Sequence, residues 1–150
     1  GFLSQLERDL TSPSISTLED ICEVLGISLS SFFKEEEDDQ LVFKKDDFYV
    51  KENEDSLITW LVPNAQNNEM EPIMYDLSPG AKTSEMAPYE GEEFGYVLRG
   101  NLTLVNVTRD ERYHLKRGDT FYMKGMDTHY LQNDSDHDTK FIWICTPPVF

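Results

Sequence analysis

The sequence predicts a mainly β protein, either a sandwich or a barrel, preceded by a short all-α segment. Up to residue 34 the apolar residues recur at helical spacing, whereas from Phe48 onward they recur at every second position. The second part consists of short β-rich runs separated by Pro-Gly, Arg-Gly and Lys-Gly turns, without a helical segment between them. These runs are LITWLVP, MYDLSPG, FGYVLRG, LTLVNVT, RYHLKRGD, TFYMKG and FIWICTPP. Seven or more strands at this spacing are typical of an all-β sandwich or barrel.

The all-α segment contains two amphipathic helices and a short third one, ISLSSFF. Pro13 ends the first helix, and we expect Ser16 and Glu19 to form a capping box that opens the second. Gly26 stands where a helix needs a residue in the left-handed conformation to end it. The apolar positions are Leu3, Leu6 and Leu10 in the first helix and Leu18, Ile21, Cys22 and Leu25 in the second.

The charged run KEEEDDQ separates the two parts and is predicted to be a linker or a solvated surface. The predicted domain bounds are therefore 1–37 for the helical part, 38–47 for an acidic linker and 48–150 for the β part.

Charge and composition restrict the function. The net charge is −16, with −6 on residues 1–37 and −10 on the remainder, so these residues taken alone are poorly suited to bind nucleic acid. No apolar run is long enough to span a membrane, and no secretion leader opens the chain. Cys22 and Cys145 each lie in an apolar pattern, which favours two buried free thiols and a reducing cytoplasm.

Two spaced motifs in the β part resemble those of the cupins, which are double-stranded β-helix barrels. Glu93 and Gly100 have the spacing that ends the first cupin motif. The pair Gly118-Asp119, followed by His129 and Asn133, has the spacing of the second. GEEFGYVLRG, LKRGDTFYMKG and TPPVF resemble the sensor barrel of one group of bacterial transcription regulators.

The opening residues GFLSQLERDLTSPSISTLEDICEVLGISLSSFF resemble the second half of a lambda-repressor-like (XRE-family) helix-turn-helix domain. The resemblance implies a regulator in which this domain precedes a single cupin barrel, and it implies that two helices precede Gly1. Ser4, Gln5 and Arg8 are then the polar residues of a recognition helix that contact bases or phosphates. The alternative is that Arg8 pairs with nearby carboxylates and Gln5 is merely solvated.

The resemblance also implies a metal site, because cupin metal centres take an His-x-His pair, the glutamate of the first motif and the histidine of the second. In one register the histidine pair falls on Ala87 and Tyr89, and in the other on Met86 and Pro88. Only Glu93 and His129 of the four ligands remain, so we expect no metal cofactor. We expect these two residues to hydrogen-bond each other across the barrel instead.

A barrel interior that keeps Glu93 favours a cationic or hydrogen-bond-donating guest, because a buried carboxylate is costly unless it is paired. Strand alternation sends Glu92 to the opposite face, where it is solvated. Besides Glu93, the residues predicted to bind a small polar metabolite are His129, Tyr89, Phe121, Met123 and Trp143; an amine-bearing metabolite fits this site, as does any polar ligand that donates to Glu93. The alternative for the aromatic residues is an ordinary core position.

The predicted function is a ligand-responsive transcription regulator in which the barrel binds a metabolite and the helix-turn-helix binds DNA as a homodimer. The alternative is a cupin-fold enzyme, either a metal-dependent dioxygenase or isomerase, or a metal-free catalyst with Glu93 and His129 as acid and base.

Overall fold

The computed structural model describes residues 12–33 and 40–150. Their contacts divide the chain into two compact units, residues 1–41 and residues 42–150. The predicted recognition-helix residues Ser4, Gln5 and Arg8 and most of the acidic run lie outside the described residues. None of the described helices is long and apolar enough to cross a membrane.

The described part of the first unit contains helix α1 (Ile15–Val24) and the single turn α2 (Leu29–Phe32). The predicted capping box of Ser16 and Glu19 is wrong, because the helix begins earlier. Ser14 is the N-cap, with extended backbone angles, and its Oγ accepts a hydrogen bond of 3.2 Å from the backbone N–H of Thr17. Gly26 ends α1 at φ +73°, and the N–H of Ile27 donates to the carbonyl of Cys22 at 3.0 Å, as predicted for this helix end.

The second unit is built from nine strands, which confirms the mainly β class. The strands are β1 (Tyr49–Glu52), β2 (Ser56–Trp60), β3 (Glu71–Leu77), β4 (Glu92–Arg99), β5 (Asn101–Asn106), β6 (Glu111–Lys116), β7 (Thr120–Lys124), β8 (His129–Gln132) and β9 (Thr139–Thr146). They form a six-stranded sheet of order β1-β2-β3-β9-β4-β7 and a three-stranded sheet of order β6-β5-β8. One short 3-10 turn, Lys45–Asp47, precedes β1 and another, Ala65–Asn67, lies between β2 and β3; the sequence did not predict either of them.

The core lies between the inner faces of the two sheets. Strand alternation is strict along β3 and β9, in which every second residue is buried. Tyr75 and Phe141 are cross-strand partners, and their rings stack with centroids 5.4 Å apart. Cys145 and, in the helical unit, Cys22 are buried and free, as predicted.

Candidate ligand-binding site

Glu93 faces the barrel interior from β4, where exposed and buried residues alternate. Its side chain is 1% exposed, whereas Glu92 is exposed on the outer face, as the alternation predicts. The cross-strand partners of Glu93 are Met123 on β7 and Cys145 on β9. The carboxylate therefore lies on the inner wall of the barrel, between a thioether and a thiol.

Two hydrogen bonds converge on one oxygen of this carboxylate. Nε2 of His129, at the start of β8, lies 3.0 Å from Oε2 of Glu93. The indole N–H of Trp143 on β9 donates to the same oxygen at 2.8 Å. The hydrogen bond predicted between Glu93 and His129 is thus present in the structure.

The tautomer of His129 follows from its second contact. Nδ1 lies 2.9 Å from the backbone carbonyl oxygen of Asp127, and because a carbonyl only accepts, Nδ1 carries a hydrogen. One further proton must then lie between Nε2 and Glu93. Burial lowers the pKa of His129, but the hydrogen bonds to Glu93 and to the Asp127 carbonyl outweigh it and leave the pKa raised. The raised pKa favours the imidazolium form of His129 in this hydrogen bond.

Two buried oxygen atoms beside this pair make no hydrogen bond of good geometry with the described residues, and the polar groups that act on the second of them are the Glu93 carboxylate and the Cys145 thiol. One is Oε1 of Glu93 and the other is the hydroxyl of Tyr89. Burial, the neighbouring Cys145 and the carboxylate of Glu93 together raise the pKa of Tyr89, so the phenol stays neutral. Buried oxygens without partners are rare and costly, and those found at functional sites often await a ligand.

The ring of Tyr89 is held between two glycines. A Cβ added at Gly91 or at Gly125 would overlap the ring. The N–H of Tyr89 donates to the carbonyl of Gly125 at 2.7 Å, and the N–H of Gly125 donates to the carbonyl of Gly91 at 2.9 Å. The two missing side chains therefore create the slot that directs the Tyr89 hydroxyl into the barrel.

Phe121 and Met123, two of the predicted ligand-binding residues, line a cavity. Both belong to the wall of a cavity of about 970 Å³ that lies between β6 and β7. Glu93, His129, Tyr89 and Trp143 are absent from the described lining of this cavity. Met123 is both a wall residue of the cavity and the cross-strand partner of Glu93.

The described residues do not fit the metal centre that the cupin resemblance implies. Among them, no three His, Cys, Asp or Glu side chains are placed to share an ion. Nε2 of His129, the nitrogen that would bind a metal, is engaged by Glu93. At the family's histidine positions Met86 packs against the core and Tyr89 supplies a neutral phenol, whereas Ala87 and Pro88 are exposed.

Glu71 is a second buried carboxylate, which the sequence reasoning missed. It is 1% exposed and is the cross-strand partner of Cys145. Its Oε1 accepts from the indole of Trp60 at 2.9 Å, and its Oε2 accepts from the backbone N–H groups of Val149 and Phe150 at 2.8 Å each. The period-two pattern of β3 could have revealed its burial, because Glu71 lies on the same face of the strand as the apolar residues Ile73, Tyr75 and Leu77. Its hydrogen bonds are complete, so Glu71 anchors the segment after β9.

Comparisons with known proteins agree with the two-part organisation. Residues 1–32 match the family model described as helix-turn-helix, and residues 73–145 match the model described as cupin domain. The chain is 33% identical over 152 residues to the HTH-type transcriptional regulator PuuR of Escherichia coli (strain K12), covering 99% of this chain and 80% of that protein.

Solved structures share the barrel. The cupin domain of an XRE family transcriptional regulator from Enterobacter cloacae superposes with a TM-score of 0.54 at 22% identity, over 63% of this chain and 98% of that one. Ectoine synthase from P. lautus superposes with a TM-score of 0.56 at 16% identity, over 67% of this chain and 70% of that one. At these identities the likeness shows the fold alone, and the fold hosts both regulators and enzymes.

Proposed function

Because the chain belongs to the HTH-type transcriptional regulators that join an XRE-type helix-turn-helix to a cupin domain, we propose that its barrel binds a cationic, amine-bearing effector at Glu93. One observation carries this proposal: Oε1 of Glu93 and the hydroxyl of Tyr89 are buried beside each other, and apart from their mutual contact and the thiol of Cys145 no described group completes their hydrogen bonding. An ammonium group donates three hydrogen bonds and can satisfy both oxygens at once.

Electrostatics favours a cation over other donors. Glu93 keeps one oxygen free although His129 and Trp143 occupy the other, so a second positive group can approach without displacing them. His129 offsets part of the carboxylate's charge, and the remainder acts on an ammonium at Oε1 in a buried site, where Coulomb attraction is stronger than in water. The net charge of −16 also raises the local concentration of cations around the whole chain.

The entry route that the geometry supports runs through the cavity between β6 and β7. Phe121 and Met123 form its wall, and a change of the Met123 rotamer opens the way to Glu93. Trp143 then lies along the bound amine, with its N–H still on the carboxylate. In this proposal the six predicted residues act together as one site.

Regulation follows if the effector binds unequally to the arrangements that can and cannot bind DNA. Paired half-sites require two copies of the chain, so we propose a homodimer that acts in the cytoplasm. The domain bounds 1–37, 38–47 and 48–150 are part of this proposal, with the acidic run Glu35 to Asp39 as its hinge.

An enzymatic role is not proposed. The matched relative is a transcriptional regulator, and the described residues lack the donors of a metal centre. Nε2 of His129 is engaged by Glu93, so the imidazole would have to leave this hydrogen bond before it could act as acid or base on a substrate.

A thermal-shift screen against alkyl amines, amino acids and polyamines tests the proposal. At a hundredfold excess over Kd a ligand stabilises the fold by about 2.7 kcal/mol, a shift that is easily measured. We expect at least one amine to stabilise the parent chain, and we expect Glu93→Gln to abolish that shift. Glu92→Gln is the matched control, because it removes the same charge from the outer face of the same strand. Equal shifts in the two variants would refute the assignment of Glu93.

A further inference from the structure

The outer face of the six-stranded sheet is unusually apolar. One cross-strand row consists of Tyr122, Phe94, Ile144 and Pro72, and the next consists of Thr120, Tyr96, Ile142 and Met74. Their neighbours along each strand, among them Glu93 and Gly95, are buried, so alternation directs these eight side chains outward. None of the eight is charged, and Phe94, Tyr96 and Tyr122 are 38%, 38% and 64% exposed. We call these eight residues the apolar face.

Charged residues border the apolar face at both ends. Beyond the first row lies the cross-strand pair of Glu92 and Lys124. Beyond the second row, Nζ of Lys140 lies 3.0 Å from Asp76, and the guanidinium of Arg99 lies 3.8 Å from the same carboxylate. An aromatic and aliphatic centre with a rim of mixed charge is the composition of a protein–protein interface.

The outer face of the three-stranded sheet provides an internal comparison. One of its outward cross-strand rows consists of Arg112, Val105 and Tyr130, and the next consists of His114, Thr103 and Gln132, so four of these six residues are polar or charged. This face has the composition expected of a surface that meets water. The two outer faces belong to the same barrel but differ in composition. An apolar outer face is therefore specific to the six-stranded sheet.

We propose that the apolar face is the surface through which two copies of this chain associate. The inference rests on the proposed function, because a regulator of paired half-sites needs a two-fold partner. With a net charge of −16, two copies repel over most of their surfaces, and the uncharged centre is where they approach at least cost. Both signs of charge occur on its rim, so the same patch can meet itself across a two-fold axis.

Sedimentation velocity of the full chain across a dilution series tests this inference. We expect the parent to have twice the 17.4 kDa chain mass. Phe94→Glu buries two opposed carboxylates at the centre of the contact, and we expect it to weaken the dimer by about two orders of magnitude or more. Val107→Glu is the matched control, because Val107 is 44% exposed and lies outside the apolar face. We expect this control to remain dimeric.

A parent that stays monomeric throughout, or a Phe94→Glu variant as dimeric as the control, would overturn the inference. Circular dichroism checks that each variant is folded, and if Phe94→Glu is not, Tyr96→Glu in the second row replaces it with the same expected dissociation. The masses are measured without any amine, so they do not depend on effector binding. An amine screen that fails while the parent is dimeric contradicts the proposed effector site and leaves the apolar face standing.

Discussion

At the residue scale, the slot around Tyr89 gives the sharpest steric prediction. Gly125→Ala places a methyl group into the ring of Tyr89, and we expect a loss of about 1–3 kcal/mol in the free energy of unfolding from overpacking. The displaced ring also withdraws its hydroxyl from Glu93, so we expect amine affinity to fall by about tenfold, the value of one hydrogen bond. Chemical denaturation and calorimetric titration measure the two effects.

A double-mutant cycle separates this steric account from other effects of the substitution. In the Tyr89→Ala background the ring is gone, so we expect Gly125→Ala to cost much less there than in the parent. If Gly125→Ala costs the same in both backgrounds, the two residues do not interact and the slot has no role.

The pair of His129 and Glu93 predicts how stability depends on pH. The pKa of His129 in the folded barrel is raised above its ordinary value of 6.5. Its contribution is therefore fully present below pH 6.5 and is lost as pH rises through the higher folded pKa. We expect thermal unfolding of the parent to show this loss and Glu93→Gln to show a smaller one, because the variant removes the carboxylate that raises the pKa. Parallel curves for the two proteins would contradict the ion pair.

Some of the site could be predicted from the sequence, and some could not. The cupin resemblance assigned Glu93 to the interior, and alternation along β4 then directed Glu92 outward. The contacts of Glu93 with His129 and Trp143, 36 and 50 residues away, depend on strand order and register, which residue periodicity does not contain. The slot of Tyr89 depends on two glycines in separate loops, and only the fold brings them together.

At the scale of elements, the start of helix α1 can be tested directly. Ser14→Ala removes the side-chain oxygen that accepts from the N–H of Thr17, and we expect a loss of about 1 kcal/mol from the helical unit. Ser16→Ala lies within the first turn and is expected to be nearly neutral. Helix content measured by circular dichroism during thermal unfolding compares the two variants. If Ser16→Ala lowers the stability of the helical unit more than Ser14→Ala does, the capping box of Ser16 and Glu19 is supported and Ser14 is not the N-cap.

Seven of the nine strands coincide with the runs that the sequence predicts, and the two that were missed have a common reason. Strands β1 and β8 are only four residues long, so neither contains enough positions to establish a period of two. All four residues of β1 are exposed, so this strand shows no alternation of buried and exposed residues. Strand β8 begins with the polar His129, whose burial depends on its hydrogen bonds to Glu93 and to the carbonyl of Asp127.

At the scale of the whole molecule, the predicted family is confirmed. The acidic net charge affects which partners these residues can bind. A net charge of −16 opposes contact with nucleic acid by these residues alone, and it favours a cationic effector. The family resemblance also explains why Glu93 and His129 occur at their spacings, because these are positions of metal ligands in cupins. In this chain the two side chains hydrogen-bond each other.

Isothermal titration calorimetry tests most directly whether the barrel interior recognises a cation through Glu93 without a metal. The titrant is the amine that gives the largest thermal shift, and the proteins are the parent, Glu93→Gln and Glu92→Gln, each with and without EDTA. We predict one site per chain in the parent and in Glu92→Gln, unchanged by EDTA, and an affinity at least about a hundredfold lower in Glu93→Gln, since a buried charge pair is lost. Equal affinity in Glu93→Gln, or binding that disappears when EDTA removes a metal, would contradict the account.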